Sequence, residues 1–222
     1  MAPDMIFSLL YKSLLQTLHM VAVAGLVGAI IGLPIGIFLA TSQKGELFPA
    51  PNVNRVIGLI VNAARSTPFI ILVVAIVPFT RMIAGTSIGT TAAIVPLTIA
   101  TIPFFARLVE SAIREVDKGL IEAARAMGAT PFQIVYKVLL TEARPALMMA
   151  LTMTFVSLIG YSAMVGAVGG GGLGDLGIRY GYQRFMPEMM LAVVIVLIVL
   201  VQVVQSLGDA LARKFDKKTR KN

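Results

Sequence analysis

Five stretches of this chain, Met20 to Ala40, Ile57 to Val77, Ile88 to Phe105, Ala146 to Val168 and Met189 to Leu207, hold a single charged residue among them, Arg65. Each approaches the about 20 apolar residues that a helix needs to cross the hydrocarbon core of a bilayer. The whole chain agrees, with 57% hydrophobic and 14% charged residues and a mean hydropathy of +0.88, which is more apolar material than a soluble domain can hide. The expected fold class is therefore all-α, a polytopic membrane protein with five transmembrane helices at about 20–40, 57–77, 88–105, 146–168 and 189–207. The first run is too long for a cleaved signal peptide, lacks a positively charged start and leads on to a second apolar run, so it is expected to stay in the mature chain.

Basic residues set the orientation, because loops rich in Lys and Arg stay cytoplasmic. With the N-terminus outside and the C-terminus inside, fourteen of the 19 basic residues lie inside. These are Lys44 and Arg55; Arg107, Arg114, Lys118, Arg125, Lys137 and Arg144; and Arg213, Lys214, Lys217, Lys218, Arg220 and Lys221. Lys12, Arg81, Arg179 and Arg184 fall outside. The net charge of +8 then sits at membrane edges, where anionic headgroups attract each basic residue by about 1 kcal/mol. Membrane lipids, and no nucleic acid, are the expected partner of that charge.

Residues 1–19 mix apolar positions with Lys12, Gln16 and His19 and are expected to form an amphipathic, interfacial segment. Residues 208–222 read as a basic cytoplasmic tail. The chain has no Cys, which removes thiolate metal sites, disulfides and thiol redox chemistry. His19 is the only histidine and the carboxylates do not cluster, so no catalytic residue, metal site or cofactor is expected. The phosphate-cradling G-x-x-x-x-G-K-[ST] is also missing, and energy for any pumping must come from a partner. Gly172, Gly174 and Gly177 form a G-x-G-x-x-G, but it follows a membrane helix rather than a strand and has no downstream acidic partner on a helix. The Gly-rich stretch 165–185 is expected to be permissive backbone at the outer mouth.

Between the third and fourth runs lies a cytoplasmic loop, about 107–145, whose polar, Ala-rich centre something outside the membrane must read. Asp117 can cap a first helix and Gly128 can end it in the left-handed conformation. Thr130-Pro131-Phe132-Gln133 then restarts the chain, with a Thr cap, Pro at the first helical position and Gln placed to reach back to the cap amide. Leu120, Ala123 or Ala124, and Met127 share a face at helical spacing, opposite Glu122 and Arg125. A short helix of this kind suits docking into a groove on another protein; packing on the chain's own cytoplasmic face is the plainer alternative.

Glu122, Ala123, Ala124 and Gly128 resemble the first element of the EAA loop of bacterial ABC-type importer permeases. Val138 and Leu140 stand where that family has Ile and Leu. Thr141 replaces its Pro, and a Pro follows only at Pro145. The resemblance implies the ABC type I importer permease fold, with an ABC transmembrane type-1 domain over about 13–207. It implies a homodimer with a second copy of the chain, two cytoplasmic ABC ATPase subunits that grip Glu122, Ala123, Ala124, Met127 and Gly128, and an extracytoplasmic substrate-binding lipoprotein. Gly160-Tyr-Ser-Ala-Met164 and the Gly-rich stretch are similar to the methionine-uptake branch of the family.

Polar groups in the apolar runs are candidates for a translocation path. Arg65 lies ten residues after Arg55, about 15 Å along a helix, where a charge costs about 2.5–3.5 kcal/mol on insertion scales. Snorkelling, a watery cavity or carbonyls freed near Pro68 would each relieve it. Ser157, Tyr161, Ser162 and Met164 offer weakly polar groups in the fourth run, where helix packing explains them equally well. Gln202 and Gln205 read as interhelical hydrogen-bonding groups.

The function expected is the permease subunit of an ATP-driven importer in the bacterial inner membrane, passing an amino acid, methionine (L and/or D), inward, and acting as a transport subunit rather than an enzyme. Import of another small polar solute stays open. An ion-gradient-driven transporter or channel is disfavoured because the five runs contain no Asp or Glu to act as a coupling site.

Overall fold

A computed structural model describes residues 3–215. In chain order its helices are α1 (Pro3–Thr41), α2 (Pro51–Ser66), α3 (Phe69–Ala75), α4 (Val77–Ala84), α5 (Thr90–Arg114), α6 (Lys118–Ala126), α7 (Pro131–Gln133), a π-helical turn (Ile134–Leu139), α8 (Leu140–Glu142), α9 (Arg144–Ala167), α10 (Gly172–Leu176), a second π-helical turn (Gly177–Tyr182) and α11 (Pro187–Phe215). No strand occurs among the described residues. An all-helical chain is what lipid demands, since a helix satisfies its backbone groups within its own segment. Helices α1, α5, α9 and α11 are long and apolar enough to cross a membrane, and the bent pair α2 and α3 makes a fifth span if counted as one.

Several expectations need correction. The run 57–77 is no single helix: the chain breaks between Ser66 and Phe69, because Pro68 has no amide to donate and disfavours helical geometry in the residue before it. It breaks again at Ile76, and Arg81 lies in the short helix α4 that follows, which Gly85 at φ 72° ends. The amphipathic segment and the first run are one continuous helix of 39 residues. Helix α5 runs on past Phe105 to Arg114 and brings Glu110 into a spanning helix, 5% exposed. The stretch 165–185 is largely helical rather than loose. The part of the basic tail up to Phe215 continues α11, and residues 216–222 lie outside the described residues.

Contacts divide the described residues into two units, one from 3–28, 67–101 and 154–205, the other from 29–66, 102–153 and 206–215. In the first unit, Met20, Val21, Ala24, Phe69, Val73, Ala93, Leu97, Leu158, Ile159 and Val165 form a core. Beside it, Leu173 and Leu176 pack with Met189 and Val193. This second cluster anchors α10, which is also held by side chains of α1: the Gly172 N–H donates to Gln16 Oε1 at 3.0 Å and the Leu173 N–H to Thr17 Oγ1 at 2.9 Å. A Cβ on Gly174 would lie 2.3 Å from the Ala163 carbonyl oxygen. The glycine here permits close packing of α10 on α9, which is why the stretch is ordered where composition alone reads as permissive.

The second unit has its own core, with Ala40, Leu47, Phe105, Val109, Ala112 and Ile113 packed against Ala124, Ile134, Leu139, Ala143, Leu147 and Ala150. Its polar loop helices are therefore seated on an apolar base.

Candidate functional site

The second unit carries a helical elbow whose geometry is specified residue by residue. Asp117 Oδ1 accepts the Gly119 N–H at 2.7 Å and starts α6. At the other end the Gly128 N–H donates to the Arg125 carbonyl at 2.9 Å and the Ala129 N–H to the Ala124 carbonyl at 3.0 Å, the paired bonds of a Schellman stop. That stop requires a left-handed residue, and Gly128 has φ 79°. Thr130 then opens the next helix with a reciprocal cap: Gln133 N–H to Thr130 Oγ1 at 3.4 Å, and Thr130 N–H to Gln133 Oε1 at 2.9 Å.

The faces of the elbow are unequal. Ala124, Ile134 and Leu139 are buried in the unit's core; burial of Ile134 and Leu139 stabilises the elbow by about 2 kcal/mol each. The five-residue interval between those two suits the wide π-helical turn that spans them. Leu120, Ala123 and Met127 lie on the open face of α6, with Met127 81% exposed, and Glu122 and Arg125 are exposed on its flank. The choice between Ala123 and Ala124 is thus resolved: Ala123 faces out and Ala124 in. Phe132 and Tyr136 extend the exposed apolar surface beyond the bend, at 77% and 75%, with the Phe132 ring centred 5.0 Å from that of Phe48. Where Thr141 replaces the EAA-loop proline, the helix still breaks, at Ala143, and Pro145 falls in the first turn of α9.

Three residues before α6, at the end of α5, lies an ionic cluster that the reading of the apolar runs missed. Glu110 Oε2 accepts from Arg107 Nη1 and its Oε1 from Arg114 Nη2, both at 2.5 Å. Arg107 Nη2 also donates to Asn62 Oδ1 at 2.8 Å and the Gly58 carbonyl at 3.2 Å, both on α2. Arg114 Nη2 reaches the Leu39 carbonyl on α1 at 3.4 Å, where Asn54 Nδ2 donates at 2.9 Å and also holds Ser42 Oγ at 2.9 Å. The signal was present in the sequence: Arg107, Glu110 and Arg114 stand at intervals of three and four, one helical face. It went unread because the apolar run was ended at Phe105.

The path candidates separate by position. Arg65, in the last turn of α2, is exposed, as is Met164 at 47%. Ser157 is half-buried, and Tyr161 stacks on Phe69 with ring centroids 4.5 Å apart. Ser162 is 2% exposed and its hydroxyl donates to the Ile159 carbonyl at 2.7 Å, so it faces the interior of the first unit.

The sequence profile of the family described as binding-protein-dependent transport system inner membrane component matches residues 32–221. The chain belongs to this family. It is accordingly a multi-pass inner-membrane permease. A relative from Vibrio cholerae described as a probable D-methionine transport system permease protein, MetI, is 56% identical over 94% of this chain and 92% of its own length. The Escherichia coli K12 protein described as a D-methionine transport system permease is 54% identical over 71% of this chain and 73% of its own length. Among solved structures, a chain of the MetNI methionine ABC transporter in an inward-facing conformation superposes with a TM-score of 0.95 at 49% identity, covering 98% of this chain and 100% of that one. The permease is thus of the MetI-like branch, and the fold described above is that of an importer permease.

Proposed function

We propose that this permease forms the path by which an ATP-driven importer carries methionine, L and/or D, into the bacterial cell. The relatives described as D-methionine permeases support the cargo, and the methionine transporter structure supports the pairing with an ABC ATPase. The observation that carries the reading is α6: a helix too short to stand alone, capped at both ends, seated on Ala124 and open at Leu120, Ala123 and Met127. With the N-terminus outside, as the basic residues favour, this face is cytoplasmic and within reach of a nucleotide-hydrolysing subunit.

Two copies of the chain pair around the path, two ATPases grip Glu122, Ala123, Met127 and Gly128 from the cytoplasm, and a lipoprotein delivers cargo from outside. Ala124 supports the gripped helix from beneath. ATP-driven closure of the ATPases moves the paired elbows together and switches the helices between two packed states. Arg65, Ser157, Tyr161 and Met164 are each proposed to face the path, Arg65 and Met164 being the exposed ones; Ser162 is assigned to packing. Glu110 does not revive an ion-gradient mechanism, because its carboxylate is held between two arginines.

The test is reconstitution of the permease with its ATPase and binding protein in sealed vesicles. Labelled methionine is expected to accumulate only with ATP and to be outcompeted by methionine rather than by other amino acids. Accumulation without ATP would overturn the reading.

A further inference from the structure

We propose that Glu110 is a positioning residue, a charged brace that makes the end of α5 move as one piece with α2 and the end of α1, and thereby keeps nucleotide hydrolysis coupled to uptake. The coupling half of this statement rests on the function proposed above; the brace itself does not.

Glu110 is 5% exposed, and its carboxylate offers each oxygen to a different guanidinium. One of those guanidiniums ties α5 to α2, through Asn62 and the Gly58 carbonyl, and the other ties it to the Leu39 carbonyl near the C-terminal end of α1. Three helix segments thus meet at one anion, all inside the second unit. Arg107 Nε is buried with no hydrogen-bond partner among the described residues, and Glu110 is the carboxylate paired with this guanidinium. Only residues 115–117 separate α5 from α6. A displacement of α6 therefore reaches the braced helix end through a link too short to absorb it.

The chemistry makes Glu110→Gln a sharp perturbation. Glutamine keeps the size but presents one acceptor and one donor, so one of the two arginines must let go. Loss of the α2 contact frees α2 from the helix that leads to the elbow, and loss of the α1 contact leaves the Leu39 carbonyl to Asn54 alone. Glu110→Asp keeps the charge on a shorter arm and serves as the conservative control.

The experiment measures amide hydrogen exchange and, in reconstituted vesicles, methionine taken up per ATP hydrolysed, for the assembled wild-type, Glu110→Gln and Glu110→Asp complexes. Exchange over residues 39–62 should speed up about tenfold in Glu110→Gln, with α9 and α10 unchanged. Uptake per ATP should fall by about tenfold while hydrolysis continues, and Glu110→Asp should lie nearer the wild type in both. Exchange that is unaltered, or raised throughout the chain, would overturn the brace, as would an unchanged ratio in a transporting complex. If the wild type shows no ATP-driven uptake, the functional reading fails and exchange alone decides the brace. If Glu110→Gln does not assemble, Asn62→Ala removes an acceptor of Arg107 without stranding a carboxylate's partners, and must show faster exchange in α2 for the brace to stand.

Discussion

At Gly128 the demand on the residue is conformational and nothing else. Its φ is 79°, and a Cβ built there meets no atom within 4 Å. A side chain is therefore penalised for backbone geometry alone, by about 1–2 kcal/mol in the left-handed region and by more for a β-branched residue, whereas Asn tolerates that region. Gly128→Val should disturb the stop that sets where α6 ends, leaving ATP hydrolysis in place while uptake falls several-fold; Gly128→Asn should transport nearly as the wild type does. Coupling ratios measured side by side decide it, and equal behaviour of Val and Asn would remove Gly128 from the mechanism. A requirement of this kind is readable from sequence because it is local: Asp117, Gly128, Thr130 and Gln133 act on neighbours within five residues. Glu110 shows the opposite case, since its spacing to Arg107 and Arg114 was visible but its links to α1 and α2 were not.

Among the elements, the elbow and the outer stretch contrast for a physical reason. The elbow's helices are defined by caps, so their limits follow from residue types. Helix α10 is defined by partners far away in the chain: Gln16 and Thr17 receive its first amides across a separation of 156 residues, and no local signal announces them. Glycine composition there looks like freedom, while in the fold it lets α10 lie against α9. Thr17 is 1% exposed, so Thr17→Val, nearly the same shape without the acceptor, strands the Leu173 N–H and should cost about 1–3 kcal/mol. The measurement is the unfolding midpoint of the purified permease in detergent, with Thr17→Ser expected to retain most of the stability. A Thr17→Val midpoint equal to the wild type would mean that the Thr17 hydroxyl does not hold α10, leaving that to Gln16, Leu173 and Leu176. The break in the second apolar run belongs with the elbow, because Pro68 predicts it; a hydropathy window is blind to a single proline.

For the whole molecule, class and spanning helices follow from the apolar runs, but sidedness rests on the distribution of lysines and arginines alone. The chain contains no Cys, so single cysteines can report sidedness against a silent background. Arg184→Cys, in the exposed segment after the second π-helical turn, should react with a membrane-impermeant thiol reagent in intact spheroplasts. Lys44→Cys and Met127→Cys, also at exposed positions, should react only after the membrane is opened. The reverse pattern would place α6 on the outer side, out of reach of ATP, and would defeat the importer reading at once. The same cysteines test assembly. Adding the ATPase to opened membranes should slow labelling at Met127→Cys, on the docking face, at least as much as at Lys44→Cys, because a gripped helix is shielded along the face it presents. If Met127→Cys stays fully reactive in a complex that hydrolyses ATP and takes up methionine, the partner engages some other surface, and the exposed Leu120, Ala123 and Met127 face must be explained by a different contact.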